Sequence, residues 1–168
     1  MIHLILGGAR SGKSRHALSL ESDESRRCLF VATAEIVDPE FKARIERHQQ
    51  ERDPRWTTIE SPISLADTLG DIDHPDTLIV VDCLSVWLGN LMHHQEPCDT
   101  HVTALLGFLR TASADVRLVS NEVGQGVVPE SRMGREFRDL QGRLNQDVAS
   151  IADRVQLVVA GLPVLIKP

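Results

Sequence analysis

Tyrosine is absent from this 168-residue chain, aromatic residues make up only 4% of it, and its three cysteines are Cys28, Cys83 and Cys98. An odd number of cysteines without Cys-x-x-Cys spacing argues against a disulfide framework or a cysteine zinc site, so a reducing cytoplasm is the expected compartment. No apolar run approaches the roughly 18 residues of a membrane-spanning helix. The opening Met1-Ile2-His3-Leu4-Ile5-Leu6 runs straight into glycine, without the charged start and apolar core of a secretion signal. The expectation is therefore a chain with no membrane span and no targeting segment. Low-complexity tracts and long runs of like charge are also lacking, as befits a folded globule. A formal net charge of -6 points away from nucleic acid as the main partner, although local basic pockets for small phosphates remain compatible with it.

What the chain does contain suits one α/β domain spanning residues 1–168, long enough to bury roughly two-thirds of its unfolded surface. Short apolar runs at 2–6, 28–32, 57–59, 78–81, 116–119 and 155–160 read as strands. Between them, helical periodicity is expected near 13–21, 39–51, 63–69, 102–111 and 133–152, with a turn or more around 84–92. That alternation predicts a mostly parallel sheet flanked by helices. At the end, Gly161-Leu162-Pro163 followed by residues 164–167 predicts a tight reversal into an antiparallel edge strand.

The first chemical signal is Gly7-Gly8-Ala9-Arg10-Ser11-Gly12-Lys13-Ser14, a G-x-x-x-x-G-K-[ST] loop set between an apolar strand and a helix. Glycines let consecutive backbone N–H groups curl around phosphate. Lys13 would reach the β- and γ-phosphates and Ser14 would ligate Mg²⁺. The run Leu78-Ile79-Val80-Val81-Asp82 ends an apolar strand in a carboxylate. Asp82 is either a Mg²⁺-side acid at the carboxyl edge of the sheet or the N-cap of the following helix.

Asp38-Pro39-Glu40-Phe41 has the form of a helix start, and Phe41 and Ile45 would mark the buried stripe of that helix, with His48 at its edge among Arg44, Arg47 and Arg52. From the residues alone, His48 reads as a solvated surface histidine or as a nucleophile beside cations. His93, His94 and His101 fall in what reads as a loop and face solvent, without a matching carboxylate or cysteine pattern for a metal. Asn121 and Glu122, just past a strand and followed by Gly124 and Gly126, are expected to face the ligand crevice. Arg132, Arg135, Arg138 and Arg143, interleaved with Asp139 and Asn145, would otherwise form a salt-bridged helix face.

Five ordered blocks together carry a resemblance over nearly the whole chain: GGARSGKSRHA from Gly7, ARIERHQQERDPRW from Ala43 with Glu60 beyond it, VVDCLSVWLGNL from Val80, NEVGQGVVPESRMGREFRDLQGRLNQ from Asn121, and VVAGLP from Val158. They are similar to the bifunctional adenosylcobinamide kinase/adenosylcobinamide-phosphate guanylyltransferase of cobalamin biosynthesis. One departure is Asp53 between Arg52 and Pro54. The resemblance implies a RecA-like P-loop fold, a cytoplasmic homo-oligomer (trimeric in relatives) and two activities at one site. In the first, adenosylcobinamide is phosphorylated from ATP or GTP; in the second, GMP from GTP is joined to that phosphate through a guanylyl-histidine, with pyrophosphate released. It implies that His48 is the guanylylated residue and that Gly7 to Ser14 hold the triphosphate, with Thr33, Arg52, Glu60 and Asp82 bordering the nucleotide. Two other functions fit the P-loop alone: a small-molecule kinase without guanylyl transfer, and a RecA-like ATPase.

Overall fold

The computed structural model describes residues 1–19, 26–35 and 54–168. Seven strands form one sheet: β1 (Ile2–Gly7), β2 (Arg27–Ala32), β3 (Trp56–Glu60), β4 (Thr77–Asp82), β5 (Asp115–Asn121), β6 (Arg154–Val159) and β7 (Leu162–Lys167). Their spatial order is β3-β2-β4-β5-β1-β6-β7. All neighbours are parallel except β6 and β7, which pair antiparallel through the turn at Ala160 and Gly161. The central strands are continuous aliphatic runs because both faces are covered: Leu78, Ile79, Val80 and Val81 are all buried. At the rim, β3 is only half-buried and β7 is largely exposed.

Five helices accompany the sheet among the described residues: α1 (Lys13–Ser19), α2 (Leu65–Asp71), α3 (Leu84–His93), α4 (Cys98–Thr111) and α5 (Arg132–Ile151). One face carries the larger core, where Leu65 and Leu69 of α2, Trp87 and Leu91 of α3, Leu105 and Leu109 of α4, and Leu144 and Val148 of α5 join Leu4, Val31, Ile79 and Leu118. Trp87 is fully enclosed and satisfies its one polar atom by donating to the Ile63 carbonyl at 2.8 Å. The opposite face has a smaller cluster in which Ala17 of α1 packs on Ile5, Phe30, Val80, Val119 and Val158.

The expected turn or more at residues 84–92 is helix α3, whereas two expectations require correction: α4 starts at Cys98 rather than near 102, and the histidines read as loop residues belong to helices or their caps. The polar first turn Cys98-Asp99-Thr100-His101 follows Pro97 at the N-cap and has no side-chain cap to announce it. His101 thus lies on a helix, half-buried and 3.4 Å from Glu96, and His94, which caps α3, contacts Glu35 at 2.9 Å. The expected helix at 39–51 and residues 20–21 of the first helix lie outside the described residues.

One buried charge site gives the fold a pH response. His3 on β1 is 5% exposed, and its Nε2 is buried without a hydrogen-bond partner among the described residues. Burial first, and then the nearby Arg154 and Arg117 guanidinium groups and His16, push the imidazole from 6.5 down to about 4. As pH falls, the unfolded chain therefore takes up this proton before the folded one does. The stability present above pH 6.5 should be lost progressively down to about pH 4, by at most on the order of 3 kcal/mol. His3→Leu should flatten that part of the acid limb in urea titrations. Equal pH slopes for the two proteins between 6.5 and 4 would refute the assignment.

Candidate functional site

The P-loop begins where β1 ends. At Gly7 a Cβ would run into the Ser11 hydroxyl and lie 2.8 Å from the Val158 carbonyl of β6, so only glycine fits there. The chain then turns through Arg10 at φ 57° and Gly12 at φ 94°, the latter a conformation that glycine adopts readily. Within the loop the Ser11 N–H donates to the Gly8 carbonyl at 3.2 Å. From outside, the β6–β7 turn braces it: the Gly161 N–H donates to the Ser11 carbonyl at 2.8 Å, and a Cβ on Gly12 would meet the Gly161 Cα at 3.3 Å. Gly8, Ala9 and Arg10 are exposed, whereas Lys13 is buried with its Nζ donating to the Gly8 carbonyl at 3.1 Å. Ser14 is half-buried beside it in the first turn of α1. The Ser11 hydroxyl is enclosed and has no partner among the described residues, an unsatisfied polar atom of the kind a phosphate oxygen would complete.

Strand ends line up beyond this loop. Gly7 is level with Asn121 on β5, Asp82 on β4 is level with Val119 and with Ala32 on β2, and Ala32 is level with Glu60 on β3. Asp82 follows Val80 by two residues and pairs with Val119, so it lies on the α1 side of the sheet, the side of the P-loop. The N-cap of α3 is Cys83, whose sulfur accepts from the Val86 N–H at 3.4 Å. Of the two readings open for Asp82, the capping role is thereby taken by its neighbour. Burial, and next the Asp82 carboxylate, push the Cys83 thiol up to about 11, which leaves it a protonated, unreactive group at neutral pH.

A scan against protein-family models matches residues 3–166 to cobinamide kinase/cobinamide phosphate guanyltransferase. The chain belongs to this family. It is 38% identical over 182 residues to the bifunctional adenosylcobalamin biosynthesis protein CobU of Escherichia coli K12, covering 99% of this chain and all of the relative. It is 40% identical to CobU of Salmonella typhimurium LT2, with 99% of this chain and 100% of the relative covered. Its identity to the bifunctional protein CobP of Pseudomonas aeruginosa is 41%, with 99% and 98% covered. A solved structure from Pyrococcus horikoshii OT3 superposes with a TM-score of 0.55 over 99% of this chain and 85% of that one, at 6% identity, which speaks for the fold alone.

In this kinase/guanyltransferase the candidate residues divide by position. Gly7 to Ser14, Asp82 and Glu60 all stand at the carboxyl edge of the sheet, with Glu60 exposed at the end of β3. Thr33 is fully buried: its hydroxyl donates to the Cys83 carbonyl and accepts from the Cys83 N–H, both at 2.8 Å, while its carbonyl accepts from Asn90 at 2.7 Å. It shapes the end of β4 next to Asp82 and presents no side-chain surface to a nucleotide. His48 and Arg52, like Arg44 and Arg47, lie outside the described residues. Arg135 donates to the carbonyls of Pro129 and Glu130 and so braces its own helix start, while Arg138 pairs with its neighbour Asp139 at 3.3 Å along the helix. Glu122 turns back to accept from the Gly124 N–H at 2.6 Å.

The donor set suits Mg²⁺. Among the described residues no three His, Cys, Asp or Glu side chains converge, and this ion needs only one or two protein oxygens when phosphates and water fill its remaining positions. A Ser14 hydroxyl and an Asp82 carboxylate are hard oxygens of that kind. Two functional contributions were missed at the level of sequence: the Gly161 brace, which there read only as a strand reversal, and Cys83 as helix cap, an uncommon residue for that position.

Proposed function

We propose that this chain phosphorylates adenosylcobinamide with a nucleoside triphosphate and then transfers GMP from GTP to the new phosphate through a guanylyl-His48 intermediate. The observation that carries the reading is a single phosphate cradle with Lys13 in its floor and Asp82 on the same sheet face. In the first reaction the substrate hydroxyl attacks the γ-phosphorus; the bond to the nucleoside diphosphate breaks and the hydroxyl proton is released. In the second, a neutral His48 nitrogen attacks the α-phosphorus of GTP and pyrophosphate leaves. A phosphate oxygen of adenosylcobinamide phosphate then displaces the imidazole, giving adenosylcobinamide-GDP and restoring His48. Ser14 and Asp82 would hold Mg²⁺, which when bound offsets charge on the phosphates. Lys13 and the loop N–H groups orient the triphosphate in both reactions. Arg52 and Glu60 would border the nucleotide, and the enzyme would work as a cytoplasmic homo-oligomer, trimeric by resemblance.

Incubation with α-labelled GTP and Mg²⁺ tests this. Label should remain on the denatured protein, resist base, be released by acid and map to the peptide containing His48. Complete turnover with no label retained on the protein at any time would overturn the covalent route.

A further inference from the structure

Asn121 closes β5, the strand between the P-loop strand β1 and the Asp82 strand β4. Its backbone is held from three directions. The N–H donates to the Ser85 hydroxyl at 2.8 Å, the carbonyl accepts from the Asn145 side chain at 3.0 Å, and the residue sits level with Gly7 in the ladder. Asn145 is itself fixed in a buried network on the α5 side of the sheet. There its Oδ1 accepts from the Ser120 hydroxyl at 2.6 Å and from the Gln141 amide at 3.0 Å, while Gln141 also reaches the Ser120 hydroxyl at 2.9 Å. Such a connected polar network costs stability unless it is nearly satisfied, so it specifies one position for the end of β5.

The side chain of Asn121 takes no part in that network. Ser120 points toward α5; Asn121, two residues after Val119, lies on the α1 side with the P-loop and Asp82. Its Oδ1 is buried and has no hydrogen-bond partner among the described residues. A buried, unpartnered acceptor on a fixed strand end, one strand from Gly7 and one strand from Asp82, is a cost to the fold that a bound ligand can offset. That ligand must supply a hydrogen-bond donor, which phosphate oxygens do not. The attacking group differs between the two reactions, an alcohol in one and an imidazole in the other. A hydrated divalent cation on the triphosphate is common to both and carries water donors.

Resting on the proposed two-step reaction at a single cradle, we infer that Asn121 contacts the cation–triphosphate complex in both half-reactions, its carboxamide oxygen accepting from the hydration shell of the cation. Asn121→Ala should then fold with an unfolding midpoint close to wild type, because the lost oxygen has no partner among the described residues. GTP affinity without Mg²⁺ should be unchanged, whereas the gain in affinity on adding Mg²⁺ should shrink. Both turnover numbers should fall together by about 100-fold, the scale for removing one oriented polar contact. Fluorescent-GTP titrations with and without Mg²⁺, thermal unfolding and the two assays read these out. A variant that fails to fold, or one with unaltered Mg²⁺ response and both rates within about threefold of wild type, would overturn the inference. If wild type itself transfers no guanylyl group, the parent reading fails, while the Mg²⁺-dependent binding measurement still decides the role of Asn121.

Discussion

Lys13→Ala is expected to reduce phosphorylation and guanylyl transfer alike by at least about 100-fold, the usual scale for losing an oriented cation against phosphate charge. Among the described residues the Lys13 ammonium is the one basic group buried in the floor of the loop, where it donates to the Gly8 carbonyl at 3.1 Å. A triphosphate offers it stronger, charge-assisted partners, so it can exchange one acceptor for another without leaving the loop. Both reactions draw on a triphosphate held by the same residues, and neither should escape. The structural cost should be modest, roughly 1 kcal/mol for a single neutral acceptor contact, so a thermal midpoint near wild type would show that the loss is chemical. Either rate remaining within about threefold of wild type, under ~1 kcal/mol of barrier, would show that the charge is supplied elsewhere.

His48→Ala should divide the two activities. Guanylyl transfer should become undetectable and no acid-labile GMP adduct should form, because the nitrogen that bonds to the α-phosphorus is gone. Much of the phosphorylation of adenosylcobinamide should survive, since there the attacking atom belongs to the substrate. Protonating a phosphoramidate nitrogen makes imidazole a good leaving group, so acid lability of the wild-type adduct distinguishes it from a serine ester. Formation of adenosylcobinamide-GDP by the variant at the wild-type rate would place the nucleophile on another residue. The variants fall into two activity patterns: alanine at 13 or 121 lowers both reactions, and alanine at 48 lowers one.

The central strands were legible in the sequence because a strand covered on both faces must be apolar throughout, and residues 28–32 and 78–81 contain nothing else. The reversal at Gly161 could be read from glycine and proline alone, and the structure has Gly161 at φ 82° there. The cap of α3 and the start of α4 were not legible. Cys83 caps α3 with sulfur, and α4 opens on a polar turn after Pro97, so neither carries the usual capping residues.

By itself, the sequence determined the phosphate loop, the strand-end acid and the family, because each is written in contiguous residues whose chemistry needs no distant partner. Only the tertiary structure decided that Thr33 is enclosed around Cys83, fifty positions away, that Gly161 braces Ser11, and that the oxygen of Asn121 is buried without a partner among the described residues. Those outcomes depend on which strands become neighbours, β2 beside β4 and β1 between β5 and β6. Strand order is set by how all the helices and strands bury their apolar faces together, a property that no single segment of the chain contains.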